Sequence, residues 1–311
     1  MLGRKRVPFL FMIDFEMENA FASPLDQIDP DLIQYNFRGF TNSKNTIPQR
    51  HTFVNKNPPS LQEYQKRFNK VMAHLNRGDS FLTNLTIRTE LVTDQGLEEL
   101  HQAARAKYKL FVKDSFIVFS PEPFIQIKDD RIFSFPMKGT IDASIPDAKE
   151  IILNDEKELS EHITIVDLIR NDLSQVASRV EVTKFRYVEE LRTTDKILLQ
   201  VSSEIMGHLR GDYWSRIGDI LVSLLPAGSV SGAPKASTLE IIRDAEGEKR
   251  GYYTGVCGYF DGTTLDSAVM IRFIEKVDGS LYYRSGGGIT AKSSLVKEYQ
   301  EAIEKIYVPV N

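Results

Sequence analysis

Near the N-terminus the apolar run VPFLFMI is cut short by Asp14 and Glu16, which predicts a buried first strand. Residues 41–60 are rich in Asn, Ser, Thr and Pro and read as a loop. Beyond them Leu61, Tyr64, Phe68, Met72 and Leu75 recur at helical spacing, with Ser60 placed to cap the start and Gly78 just past the end. SFLTNLTIRTELV then reads as a strand, followed by a short helix over about Glu98–Lys107. Phe116–Phe135 predicts a β-hairpin turning at Asp129–Asp130, and Asp147–Arg179 one long charged helix. Strands are expected at VEVTKFRYVEEL and KILLQVSSEI, and helices at Tyr213–Leu224 and Ala236–Glu246. Three further strands (YYTGVCGYF, AVMIRFIEKV and SLYYRSGGGIT) and a last helix over Ser294–Tyr307 complete the pattern.

The strands come in consecutive runs and hairpins without βαβ alternation, so the pattern predicts an α+β fold built on antiparallel sheets. No repeat, low-complexity tract or linker interrupts residues 1–311, and one domain is expected.

Composition adds constraints more than identity. With 39 Lys and Arg against 43 Asp and Glu, the net charge is −4, with no block of like charge. Nucleic-acid and membrane partners therefore have no support, and no run reaches the ~20 apolar residues of a membrane span. The lone Cys257 fits a reducing cytoplasm and a buried core position. An acidic protein that takes an anionic substrate must concentrate cations locally or recruit a metal.

Chemistry-bearing residues gather in a few places. Glu158 and Glu161 lie three apart on one predicted helix, and Glu298 and Glu301 three apart on another. Residues so spaced share a helix face, and two such pairs in opposition would make an oxygen-rich site suited to Mg²⁺. Solvated helix acids give the same pattern. Lys305 extends the second stripe by four. PAGSVSGAPK and SGGGIT offer backbone N–H groups for an anion, although neither carries Walker or dinucleotide spacing, and tight turns explain them equally. Glu122 in SPEPF and Lys138 in PMKGT flank the hairpin; Lys138 is either a surface residue or, if its pKa is lowered, a nucleophile. Arg272, among apolar neighbours in AVMIRFI, either reaches solvent or forks onto a carboxylate. The five histidines show no metal-ligand spacing.

Taken in order, GDSFLTNL, SPEPF, FPMKGT, EHITIVDLIRNDL, LPAGSVSGAPK, GYFDG, IRF, SGGGI and EYQEAIEK resemble the chorismate-utilising enzymes, over roughly residues 61–308. That family comprises the anthranilate, aminodeoxychorismate, isochorismate and salicylate synthases. The resemblance implies a four-layer α/β/β/α fold, with two large antiparallel sheets packed face to face. It also implies a short form without the N-terminal tryptophan-feedback extension.

Carried over residue by residue, the resemblance makes Glu161 and Glu301 the Mg²⁺ ligands, supported by Glu158 and Glu298. Arg272 and Tyr259 would hold the enolpyruvyl carboxylate, with backbone N–H groups of Gly286 and Gly288 nearby, Lys305 adding charge and Ser229 a hydroxyl. Anthranilate synthases usually carry Ala where this chain has Lys138; aminodeoxychorismate synthases carry Lys. The resemblance therefore implies the branch that aminates C4, with Lys138 as nucleophile, Glu122 as general acid and base, and a glutamine amidotransferase as ammonia source. Leu82 stands where water-adding members need a lysine base, and also replaces the glutamine usual in amino-transferring members. Gln200 stands in place of a common histidine.

Overall fold

All five residues of the Phe9–Ile13 strand are buried, because both faces of their sheet are covered. Phe9, Phe11 and Ile13 pack with helical residues such as Ile165, Ile169, Ile217 and Leu221. Leu10 and Met12 point the other way, into a layer shared with Tyr35, Leu110, Phe116 and Val118 of a second sheet. The far face of that second sheet carries Leu85, Ile87, Ile117 and Tyr283 against further helices. Period-two alternation along single strands thus yields four layers, helices–sheet–sheet–helices, as the resemblance implied.

The computed structural model describes residues 1–43, 55–192 and 197–309. The middle of the expected 41–60 loop lies outside the described residues. The first sheet runs in the order Met137–Asp142, Ile197–His208, Arg131–Ser134, Pro123–Lys128, Leu265–Val269, Val256–Phe260, Phe9–Ile13 and Ala20–Pro24, with Ser178–Arg192 also pairing Ile197–His208. The second runs Gly232–Ala233, Leu82–Val92, Ser280–Ile289, Phe273–Val277, Phe116–Ser120, Tyr108–Val112, Ile33–Phe37 and Phe40–Thr41, with Asn55–Asn57 against Leu82–Val92. Helices are α1 (Leu61–Arg77), α2 (Leu97–Ala103), α3 (Ala148–Asn154), α4 (Glu156–Ser174), α5 (Ile217–Leu224), α6 (Lys235–Glu246) and α7 (Leu295–Glu304).

Helix α1 forms as its sequence predicts: Ser60 and Glu63 make a capping box, and Gly78 closes the helix at φ +83°. Other expectations require correction. The long helix over Asp147–Arg179 is two helices, broken at Asp155, whose carboxylate instead accepts the Glu158 N–H at 2.8 Å and caps α4. Its last residues already belong to the strand that starts at Ser178. The short helix ends at Ala103, and the first residues of Tyr213–Leu224 form a 3₁₀ turn. Only Val256–Phe260 of YYTGVCGYF is a strand.

The Phe116–Phe135 hairpin is smaller than expected. The Asp129–Asp130 turn exists, with both residues at positive φ as a two-residue hairpin loop requires. However, Phe116–Ser120 lies in the second sheet and Pro123–Lys128 in the first. AVMIRFIEKV likewise divides into Leu265–Val269 in the first sheet and Phe273–Val277 in the second. The chain therefore crosses from one sheet to the other within each of these two segments. The two crossings lie side by side, since Val269 N–H donates to Glu122 O (3.1 Å) and Phe119 N–H donates to Arg272 O (3.0 Å).

One buried residue is a liability. His101 in α2 is 2 % exposed, and neither ring nitrogen has a hydrogen-bond partner among the described residues. Burial drives its pKa down to about 3, so the folded protein holds it neutral. The unfolded chain takes up that proton below about 6.5, so stability is lost as pH falls from there, by up to about 2 kcal/mol at pH 5. His101→Leu is expected to stabilise the protein by roughly 1 kcal/mol at pH 7 and by more at pH 5. Thermal unfolding at both pH values checks this; identical shifts at the two would remove His101 from the acid response.

Candidate functional site

The two crossings place Glu122 and Arg272 next to each other. Ser120 Oγ accepts the Glu122 N–H at 3.1 Å, and Ser229 Oγ, from the turn Gly228–Val230, donates to Glu122 Oε1 at 2.5 Å. Burial raises the Glu122 pKa; the Ser229 bond and the charges of Arg272 and Lys305 oppose but do not cancel that. Glu122 is thus a carboxyl group able to carry a proton nearer neutrality than an exposed glutamate. Arg272 adopts φ +54°, so it is not a residue of an alternating strand, as its apolar neighbours suggested, but of a kink between two strands.

Around Arg272 stand tyrosines that sequence reasoning did not select. Its guanidinium lies 5.2 Å from the Tyr307 ring centre, and Tyr283 donates its hydroxyl to Tyr307 O at 3.1 Å. Tyr253 and Tyr283, both buried, share the Arg272 field, which opposes the upward push that burial gives their pKa values. Tyr259 is not brought here. Its ring stacks on Phe40 at 4.1 Å and on Phe37 at 6.0 Å, beside Asp266. The family motif GYFDG draws attention to Tyr259, whereas the tyrosines facing Arg272 carry no local signature.

Ser280–Ile289 brings its glycines under α7. A Cβ on Gly287 would lie 3.4 Å from Glu301 Oε1, 3.7 Å from Lys305 Nζ and 3.8 Å from Glu298 Oε2, so the missing side chain makes room for all three. Gly286 contributes its carbonyl, which accepts from Lys305 Nζ at 3.0 Å, and Gly288 abuts Leu82. Lys305 also pairs with Glu301 at 2.7 Å; this pair outweighs burial and holds Glu301 below its usual pKa.

Facing α7 is α4. Lys138, on the bulged strand Met137–Asp142, places Nζ 2.7 Å from Glu161 Oε2, and Lys157 Nζ lies 3.6 Å from Oε1. Burial pulls the Lys138 pKa down, but Glu161, Glu158 and Glu301 together override it and hold it above the ordinary lysine range. The amine is therefore protonated as the structure stands. Glu158 and Glu298 are both raised, first by burial and then by neighbouring acids, among them Glu161. The two glutamate pairs predicted to face each other do share one field. His162, next to Glu161, was not singled out; its Nε2 is 2.7 Å from Ser203 Oγ, and burial takes its pKa down to about 4.

Glu158, Glu161, Glu298 and Glu301 are oxygen donors of the type a hard divalent cation takes, and Glu158 Oε2 is buried without a hydrogen-bond partner among the described residues. Among the described residues no three acidic, His or Cys side chains are grouped closely enough to hold a metal ion, and Glu161 and Glu301 pair instead with Lys138 and Lys305. Leu82 is buried beside Gly288, and Gln200 keeps a buried, unpartnered Oε1.

Comparisons with known proteins identify the family. The chorismate binding enzyme family matches residues 8–311. A Haemophilus influenzae protein described as an uncharacterized PabA-like protein is 49% identical over 310 residues, covering 99% of this chain and 94% of the relative. Aminodeoxychorismate synthase component 1 of Klebsiella aerogenes is 33% identical over 264 residues, 79% of this chain and 57% of that protein, so this chain matches little more than half of it. The crystal structure of anthranilate synthase component I from Streptococcus pneumoniae superposes with a TM-score of 0.70 at 28% identity, covering 81% of this chain and 58% of that one. With the ordered motifs, the four layers and the match over nearly its whole length, this chain belongs to the chorismate binding enzyme family.

Proposed function

We propose that this protein is a cytoplasmic, Mg²⁺-dependent enzyme that aminates chorismate at C4, the chorismate-using component of an aminodeoxychorismate synthase. The observation that carries the reading is Lys138, an amine 2.7 Å from Glu161 and within the field of Glu158 and Glu301. The relatives named aminodeoxychorismate synthase component 1 support it.

Glu161 and Glu301 would hold the metal, with Glu158 and Glu298 behind them, and the metal would supply positive charge to offset the substrate carboxylate. Lys138 releases a proton to solvent, and its neutral Nζ forms a bond to C2 of chorismate as the ring diene shifts and the C4–oxygen bond breaks. Glu122 delivers its proton to the departing 4-hydroxyl, which leaves as water. Ser229 holds the Glu122 carboxyl in place for that transfer. Ammonia then bonds to C4, the diene returns, and the C2–nitrogen bond to Lys138 breaks, giving 4-amino-4-deoxychorismate. Arg272 holds a substrate carboxylate throughout. The ammonia comes from a glutamine amidotransferase subunit, and free ammonium replaces it in vitro. The product is a precursor of para-aminobenzoate and folate.

The test is product analysis by chromatography and mass after incubating the protein with chorismate, Mg²⁺ and ammonium. A C4-amino product that keeps its enolpyruvyl group supports the reading; anthranilate or isochorismate overturns it. Glu161→Gln is expected to raise the Mg²⁺ concentration for half-maximal activity by about tenfold or more. A metal titration that coincides with wild type would remove Glu161 as a ligand.

A further inference from the structure

On the Ser280–Ile289 strand the face toward α7 carries Tyr283, Ser285 and Gly287, since side chains two apart share a face. Tyr283 marks the Arg272 end of that row, and Gly287 the Glu301–Lys305 end. Ser285 stands between them. It is 2 % exposed, and its hydroxyl has no hydrogen-bond partner among the described residues. A buried hydroxyl left unpaired costs roughly 1–3 kcal/mol, so its retention calls for an occupant.

Arg272 supplies an independent observation. The antiparallel register ends with Ile274↔Tyr283 and Phe273↔Arg284, so Arg272 and Ser285 are the next residues beyond it on the two segments, and the Arg272 charge acts on Tyr283, two residues from Ser285 on the same face. Arg272 Nε is also buried and unpartnered, and no carboxylate among the described residues lies within ion-pair distance of the guanidinium. Glu122 shares the field, but its Oε1 is engaged by Ser229. Two desolvated and unused donors of this kind match the two oxygens of one carboxylate. The opposite end of the site, crowded with Glu158, Glu161, Glu298 and Glu301, repels such a group unless a cation intervenes.

We propose that Ser285 is a substrate-binding residue, its hydroxyl donating to the same substrate carboxylate that Arg272 grips. The assignment rests on the chorismate reading above, because chorismate is a dicarboxylate that presents one anionic group to each end of the site.

Ser285→Ala tests it, with steady-state kinetics on chorismate, Mg²⁺ and ammonium and thermal unfolding in parallel. The expected result is a KM for chorismate raised about 2- to 10-fold, as loss of one hydrogen bond implies, with the change in KM rather than in kcat. Tm should hold or rise, since the variant loses an unpaired polar atom. An unchanged KM, with or without a fall in Tm, makes Ser285 a structural residue and overturns the proposal. Absence of chorismate turnover by the wild-type protein is a separate result; it overturns the chorismate reading and takes this assignment with it.

Discussion

Lys138→Ala is expected to cut C4 amination by about 10³-fold or more, the scale of losing a covalent nucleophile. Truncation removes the only atom proposed to bond C2, and neither of the other lysines paired with these acids among the described residues is free to replace it: Lys305 is engaged by Glu301 and the Gly286 carbonyl, and Lys157, 3.6 Å from Glu161, has its side chain 59% exposed. The fold should tolerate the change. The Lys138–Glu161 pair is partly exposed, 27% and 13% by side chain, so losing it costs on the order of 1 kcal/mol. A kinetic defect without a stability defect is therefore predicted. Mass spectrometry supplies the second readout: a lysine-linked substrate adduct, trapped by withholding ammonium, in wild type and none in the variant. C4 product formed at the wild-type rate would rule out Lys138 as nucleophile, whatever the adduct measurement shows.

The α+β class and the antiparallel sheets were legible from periodicity, because burial on a strand has period two and on a helix period 3.6, whereas the four layers came from the family resemblance. The capping box at Ser60 and Glu63 and the Asp129–Asp130 turn were legible for the same local reason. Sheet crossings were not. SPEPF and AVMIRFI each join two apolar stretches across the point where the chain leaves one sheet for the other, so hydrophobicity registers burial on both sides but not the change of partner. The consequence falls on function, because Glu122 and Arg272 owe their proximity to those crossings. The break at Asp155 was hidden for a different reason: a residue that ends one helix and caps the next reads as one more charged position on a continuous helix.

For the site, spacing along α4 and α7 singled out glutamates that share one electrostatic field in the fold, because residues three apart share a helix face. It could not reveal that Lys138 and Lys305 would sit against them, since pairing across elements leaves no trace in local periodicity. Tyr259 illustrates the limit from the other side. One aromatic residue on a strand looks like another until the crossing at Arg272 fixes which tyrosines face the guanidinium.

Glu246→Ala is expected to destabilise the protein by about 3–5 kcal/mol, the cost of stranding a buried charge. Glu246 and Arg250 have side chains only 1% exposed and pair at 2.7 Å. Glu246 Oε1 also accepts from Thr86 N–H and Oγ, both at 2.9 Å, while Arg250 donates to Val230 O and Asn84 O, each at 2.8 Å. The pair thus ties the end of α6 to the Leu82–Val92 strand and to the turn that presents Ser229 to Glu122. Alanine at 246 leaves the Arg250 guanidinium with two carbonyls and the Thr254 hydroxyl but no counter-charge, and the Thr86 N–H unpaired. Adding Arg250→Met removes the stranded charge, so the double variant should lose markedly less than the sum of its two single changes, which denaturant unfolding of all four proteins measures as a coupling energy. Additive losses would mean that water reaches Arg250 and that the pair is not desolvated as its burial indicates. If coupling is found, chorismate kinetics of the double variant address the link to chemistry. The Val230 tether would be gone even where stability is largely restored, and a fall in kcat larger than the change in stability would trace to a displaced Ser229–Glu122 contact.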